Sequence, residues 1–116
     1  MKLGLCTAVG VGLMLLSACA PARRAEPIVG PMTNVEASVK RGEQLYNMHC
    51  YQCHTAGEGG LGPSLNDKPL PRFAIHLQTR HGLGVMPGFS EQQLSDRQVS
   101  DIADYLVALR HHGVKR

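Results

Sequence analysis

Apolar residues fall along the chain in contrasting patterns. From Leu3 to Leu16 they run almost without a break, a length suited to a signal-peptide core and short for a membrane span. From 20 to 32 no period is visible. Pro21, Pro27, Gly30, Pro31 and the paired Arg23 and Arg24 mark an extended tether. Helical spacing then begins: Val35, Val39, Gly42, Tyr46 and His49 share one stripe, with Leu45 beside it. Lys40, Arg41, Glu43, Gln44 and Asn47 fill the other face. Thr33 and Glu36 fit a capping box, so the pattern predicts a first helix from there into Cys50. Gly42 in mid-helix costs roughly 1 kcal/mol against alanine, and a close approach by another helix is the reason to expect it.

Residues 55–60 read as a glycine-rich loop. Pro69-Leu70-Pro71 opens a short helix that Gly82 ends, and its pattern puts Phe73 and Leu77 inward, with Arg72, His76 and Arg80 outward. Gly82-Leu83-Gly84-Val85-Met86-Pro87-Gly88-Phe89 is a second loop. Ser90 with Gln93, then Ser95 with Gln98, make two successive capping boxes. The second starts a last helix whose stripe is Val99, Ile102, Ala103, Leu106 and Leu109. Asp96 and Asp101 near its start and Arg110, His111, His112 and Lys115 near its end suit the helix dipole. All the readable elements are helices, and an all-α domain is expected.

Composition narrows the functional classes. With 116 residues, one small domain is expected. The formal net charge of +3 falls to +2 once Lys2 leaves with the leader, too mild for nucleic acid. There is no tryptophan, and only two phenylalanines and three tyrosines. A domain this small buries little surface by itself and commonly needs a staple.

The staple is suggested by Cys50-Tyr51-Gln52-Cys53-His54. Two thiols three positions apart, with a histidine directly after the second, form the attachment pattern of a c-type haem. Each sulfur adds to one porphyrin vinyl group, and His54 is held beneath the iron as proximal ligand. Two alternatives stay open on these residues alone. One is a zinc half-site built from His49, Cys50, Cys53 and His54; the other is a disulfide, which leaves His54 unexplained. Cys6 and Cys19 lie at the leader, so no second cysteine pair remains for zinc.

Gly62-Pro63-Ser64-Leu65 following this motif resembles the class I monohaem cytochromes c. That resemblance implies a small cytochrome c fold: crossing N- and C-terminal helices, a short middle helix, and loops wrapping one covalent haem c. It implies that the Pro63 carbonyl accepts a hydrogen bond from the second nitrogen of His54, and it assigns Leu65 to the haem pocket. Met86-Pro87 is similar to the family's distal-ligand loop, which makes the Met86 thioether the second axial ligand. A methionine that merely fills a gap is the plain alternative. Ile102-Ala103-Asp104-Tyr105-Leu106 resembles the family's terminal-helix signature and brings Tyr105 near Gly42 and Tyr46. Two departures accompany the match: a short stretch from His54 to Met86, and no tryptophan for a haem propionate, leaving Arg72, Arg80 or His81.

Leu16-Ser17-Ala18-Cys19 is similar to the lipobox of bacterial lipoproteins, whose cysteine receives a lipid and becomes the first residue. Ordinary cleavage near Ala18 or Ala20 is the alternative. The expected layout is a signal peptide over 1–18, a tether over 19–32 and a cytochrome c domain over 33–116. The expected protein is exported, lipid-anchored on the periplasmic side, monomeric, without nucleic acid, and an electron carrier between redox proteins rather than an enzyme. A permanent subunit of a larger dehydrogenase or oxidase uses the same chemistry. An open-site sensor or peroxidase, or a bis-histidine haem using His76 or His81, is the competing class.

Overall fold

Two helices cross at a glycine, and the rest of the described residues are hung on that crossing. The computed structural model describes residues 32–57 and 59–112; the leader, Cys19 and the tether up to Pro31 lie outside them. Among the described residues, helix α1 is Ala37–His49, α2 is Arg72–His81 and α3 is Asp96–His111, with a 3-10 turn at Thr55–Gly57. The described residues are thus helical and loop, joined by one isolated bridge between Leu83 and Met86.

At the crossing, a Cβ on Gly42 would overlap the carbonyl of Asp101 and lie 2.9 Å from the Tyr105 Cβ. Backbone meets backbone there, so α1 and α3 pack more closely than any side chain would allow. The Tyr46 and Tyr105 rings meet at 5.1 Å beside it, tilted by 48°. Tyr46, Leu94, Val99 and Ile102 are the largest fully buried side chains. Arg41 closes the edge with a two-pronged ion pair, Nε to Asp101 Oδ2 at 2.7 Å and Nη2 to Oδ1 at 2.9 Å. Gly42→Ala is expected to destabilise the protein by about 2–3 kcal/mol, the usual cost of overpacking a tight contact. Urea denaturation checks this, and a midpoint equal to that of the native chain would contradict it.

The ends of the helices are set mostly by local chemistry. Ser95 and Gln98 make both bonds of a capping box: Gln98 N donates to Ser95 Oγ at 3.3 Å, and Ser95 N donates to Gln98 Oε1 at 2.8 Å. Ser90 and Gln93 close only one turn, with Ser90 N donating to Gln93 Oε1 at 2.9 Å. Pro71 precedes α2 and Gly82, at φ 67°, follows it. The start of α1 differs from the sequence pattern. Its N-cap is Glu36, with no side-chain capping bond, because Asn34 at φ 56° turns the chain before the helix begins and leaves Thr33 outside it.

Helix α2 faces the opposite way from its apolar pattern. Ile75 and Thr79 are buried, while Phe73 is 73% and Leu77 58% exposed. Two residues along a helix turn the side chain by about 200°, so Ile75 inward sends Phe73 outward. Arg80, expected at the surface, is folded in. Its guanidinium donates to Phe89 O at 3.0 Å, Leu94 O at 2.7 Å and Asp96 Oδ1 at 2.6 Å. Arg72 pairs with Asp104 at 2.7 Å instead of standing free. No helix among the described residues is long and apolar enough to cross a membrane.

Candidate functional site

The end of α1 delivers the two cysteines and the histidine as one tight loop. Cys53 N and His54 N both donate to the Cys50 carbonyl, at 3.1 and 2.9 Å, so the three side chains follow from a single turn of backbone. Cys50 is half-buried and Cys53 exposed, and neither is in a disulfide. Burial, with Cys53 adding a smaller effect, pushes the Cys50 thiol up to about 11. No group of three or more histidine, cysteine or acidic side chains among the described residues is arranged to hold a metal, so the zinc half-site finds no completing ligands there.

His54 is buried and oriented from two sides. Its Nδ1 lies 2.7 Å from the Pro63 carbonyl. A carbonyl only accepts, so Nδ1 carries a proton, and in the neutral ring the Nε2 lone pair is the one left for a ligand. Gly62 presses its backbone on the ring: a Cβ there would lie 2.7 Å from Nδ1 and 2.8 Å from Nε2. The loop between is sewn shut. Gly62 N donates to Cys53 O at 2.8 Å, and Leu65 N and Asn66 N donate to Gly57 O at 2.7 and 3.0 Å. Leu65 is partly buried and packs on the core between the helices.

Met86 stands on a two-residue turn. Leu83 N donates to Met86 O at 3.1 Å and Met86 N to Leu83 O at 3.0 Å. Gln78 on α2 points its amide at the Met86 sulfur, Nε2 to Sδ 3.9 Å. The turn is pinned back to α2 where Phe89 N donates to Thr79 O at 2.9 Å. Among the expected partners of a haem propionate, Arg72 and Arg80 are engaged in the ion pairs above, and His81 is exposed.

The chain fits an apolar disc held by thioethers. Every exposed large hydrophobic residue of the described chain falls between Met48 and Val85, including Leu61, Phe73, Leu77, Leu83 and Val85. None lies on the outer faces of α3 or at the first turns of α1. The apolar surface is therefore gathered on the end of α1, the cysteine loop and the segments leading from it to Met86, where a porphyrin would remove it from water.

An all-helical domain of this size, with that cysteine–histidine loop and apolar segment, defines a class I c-type cytochrome carrying covalently bound haem c. The family described as cytochrome c oxidase, cbb3-type, subunit III matches residues 37–106, and the chain belongs to that family. It is 36% identical over 92 residues to one subunit of the nicotinate dehydrogenase of Pseudomonas putida, covering 66% of this chain and 8% of that one. It is 35% identical over 68 residues to the 4-cresol dehydrogenase cytochrome c subunit of Pseudomonas putida, covering 59% of each. Cytochrome c6 of the diatom Phaeodactylum tricornutum shares the fold at TM-score 0.55 and 30% identity, over 63% of this chain and 94% of its own. The chain thus spans less than two thirds of the two dehydrogenase subunits. The chemistry of the class is electron transfer through haem c.

Two contributions to the site were not legible as motifs. The Gly62 backbone on the His54 ring had only the Gly-Pro dipeptide as a signal, and the Gln78 amide near Met86 had none.

Proposed function

We propose that this protein carries single electrons on the periplasmic side of a bacterial membrane, through a haem c with His54 and Met86 as axial ligands. Cys50 and Cys53 form the thioether bonds, and Pro63 and Leu65 complete the proximal pocket. The observation that carries this reading is the His54–Pro63 hydrogen bond of 2.7 Å, which leaves the Nε2 lone pair for the iron. When bound, the haem iron supplies a one-electron couple. The protein's part is to hold the imidazole orientation, to offer a neutral thioether that favours the reduced state, and to keep water away. With His54 and Met86 both holding the haem, little would have to rearrange when its charge changed.

The test is reversible voltammetry of the holoprotein with spectra of both states. A one-electron wave, low-spin spectra on either side and no peroxide turnover are expected. A high-spin reduced state or peroxide turnover would favour the sensor or peroxidase reading instead.

The leader supports export, and the Leu16–Cys19 pattern supports lipid attachment at Cys19 after removal of 1–18. The tether over 19–32 then lets the domain 33–116 reach partners while staying at the membrane. Cys19→Ser is expected to move the protein from the membrane to the soluble fraction with its haem intact. A native protein already soluble, with an unmodified N-terminus, would remove the anchor from the account. The two dehydrogenase relatives favour a second reading, in which the same haem serves as the exit for electrons from a larger dehydrogenase.

A further inference from the structure

Tyr46 packs at the helix crossing with its ring fully buried, and packing needs only the ring. Phenylalanine would fill the same space. The hydroxyl, buried at a cost unless bonded, is used for something else. It donates to the His54 carbonyl and accepts from Gly57 N at 3.1 Å. Those two groups are also bonded to each other, Gly57 N to His54 O at 3.0 Å. The hydroxyl therefore sits on both ends of the turn that begins at His54.

The turn in question controls more than itself. The Gly57 carbonyl takes the amides of Leu65 and Asn66, at 2.7 and 3.0 Å. Pro63, two residues before Leu65, offers the carbonyl that His54 Nδ1 bonds at 2.7 Å. A closed circuit results: Tyr46 hydroxyl, His54–Gly57 turn, residues 63–66, and back to the His54 ring. We propose that Tyr46 is a positioning residue for the His54 imidazole, its hydroxyl setting the turn that holds the Pro63 acceptor at hydrogen-bonding distance. This rests on His54 being the proximal ligand. Through that acceptor, the position of the turn tunes how strongly the imidazole donates to iron.

The test uses the full-chain holoprotein with Tyr46→Phe and, separately, Tyr46→3-fluorotyrosine, a stronger donor of nearly the same size. In Tyr46→Phe the His54 carbonyl and Gly57 amide keep their mutual bond, so the chain should fold and retain its haem. Proton exchange at Gly57 N–H and His54 Nδ1–H, read by NMR of the reduced protein, should quicken by about tenfold. The midpoint potential should rise, because a weaker Pro63 bond makes a poorer donor to ferric iron. Fluorotyrosine is a stronger donor to the His54 carbonyl but a weaker acceptor for Gly57 N–H. It should slow exchange at His54 Nδ1–H and lower the potential, and it carries the test alone if Tyr46→Phe does not fold. Faster exchange with an unchanged potential would reduce the hydroxyl to a structural role and overturn the proposal. A shifted potential with unchanged exchange, or no change in either, would overturn it as well. Failure of the underlying ligand reading shows separately, as an absence of iron-bound imidazole signals in the native protein itself.

Discussion

Replacing Cys50 and Cys53 together by alanine is expected to abolish covalent haem. The native holoprotein should carry about one haem mass through denaturation and acidic solvent extraction, and the double variant none. The expected loss goes beyond the cofactor. The side chains left exposed between Met48 and Val85 have no other apolar surface to cover them in the described chain. A domain this small has little else to spare, so much of the variant should be degraded or partly unfolded at growth temperature. Mass spectrometry of the denatured protein reads the first effect and thermal denaturation the second. Haem that remains covalently bound, with the fold intact, would contradict the assignment of the two sulfurs.

Met86→Ala separates a carrier from an open-site haem. In the native protein the oxidised form should show the weak near-infrared band of sulfur-to-ferric charge transfer. The reduced form should bind carbon monoxide slowly, since a ligand must leave first. The variant should lose the band, bind carbon monoxide rapidly and drop in potential by on the order of 100 mV or more, because the axial ligand is a main control on haem potential. The rest of the domain should survive, as the turn is held by the Leu83–Met86 backbone bonds and by Phe89 N on Thr79 O, none of which uses the thioether. His76→Ala and His81→Ala are controls expected to leave the spectrum unchanged. Rapid carbon monoxide binding by the native protein, with a spectrum that Met86→Ala does not alter, would exclude the carrier mechanism.

Helix content, a close helix approach at Gly42 and the haem-attachment pattern of the cysteines are legible in the amino-acid sequence. Each has a local cause: a period of 3.6, a glycine where α1 must touch another backbone, and sulfurs spaced to meet one porphyrin edge. Tyr105 beside Gly42 and Tyr46 follows from the resemblance of the terminal helix, and the rings do meet at 5.1 Å. Helix α2 is legible as a helix but not in its direction. Phe73 with Leu77 and Ile75 with Thr79 are both one-turn pairs, and a periodic apolar pair reports only that some surface takes it from water. Thr79 looks polar in the sequence, yet its hydroxyl is satisfied within the helix by Ile75 O at 2.8 Å, which makes it fit for the core.

What the sequence determined by itself is what depends on neighbours along the chain. Ser95 caps α3 because Gln98 is three residues away; Gly82 ends α2 because it accepts a positive φ; Cys50, Cys53 and His54 share one loop because they are adjacent. The tertiary structure alone decided what depends on elements distant in sequence. It turned Arg80 inward onto Leu94 and Asp96, brought the Pro63 carbonyl to His54, and set the Tyr46 hydroxyl over the His54–Gly57 turn. A hydrogen bond requires donor and acceptor within about 3 Å and in line. Residue spacing fixes that geometry inside one helical turn, whereas between separate segments it exists only after the helices have packed.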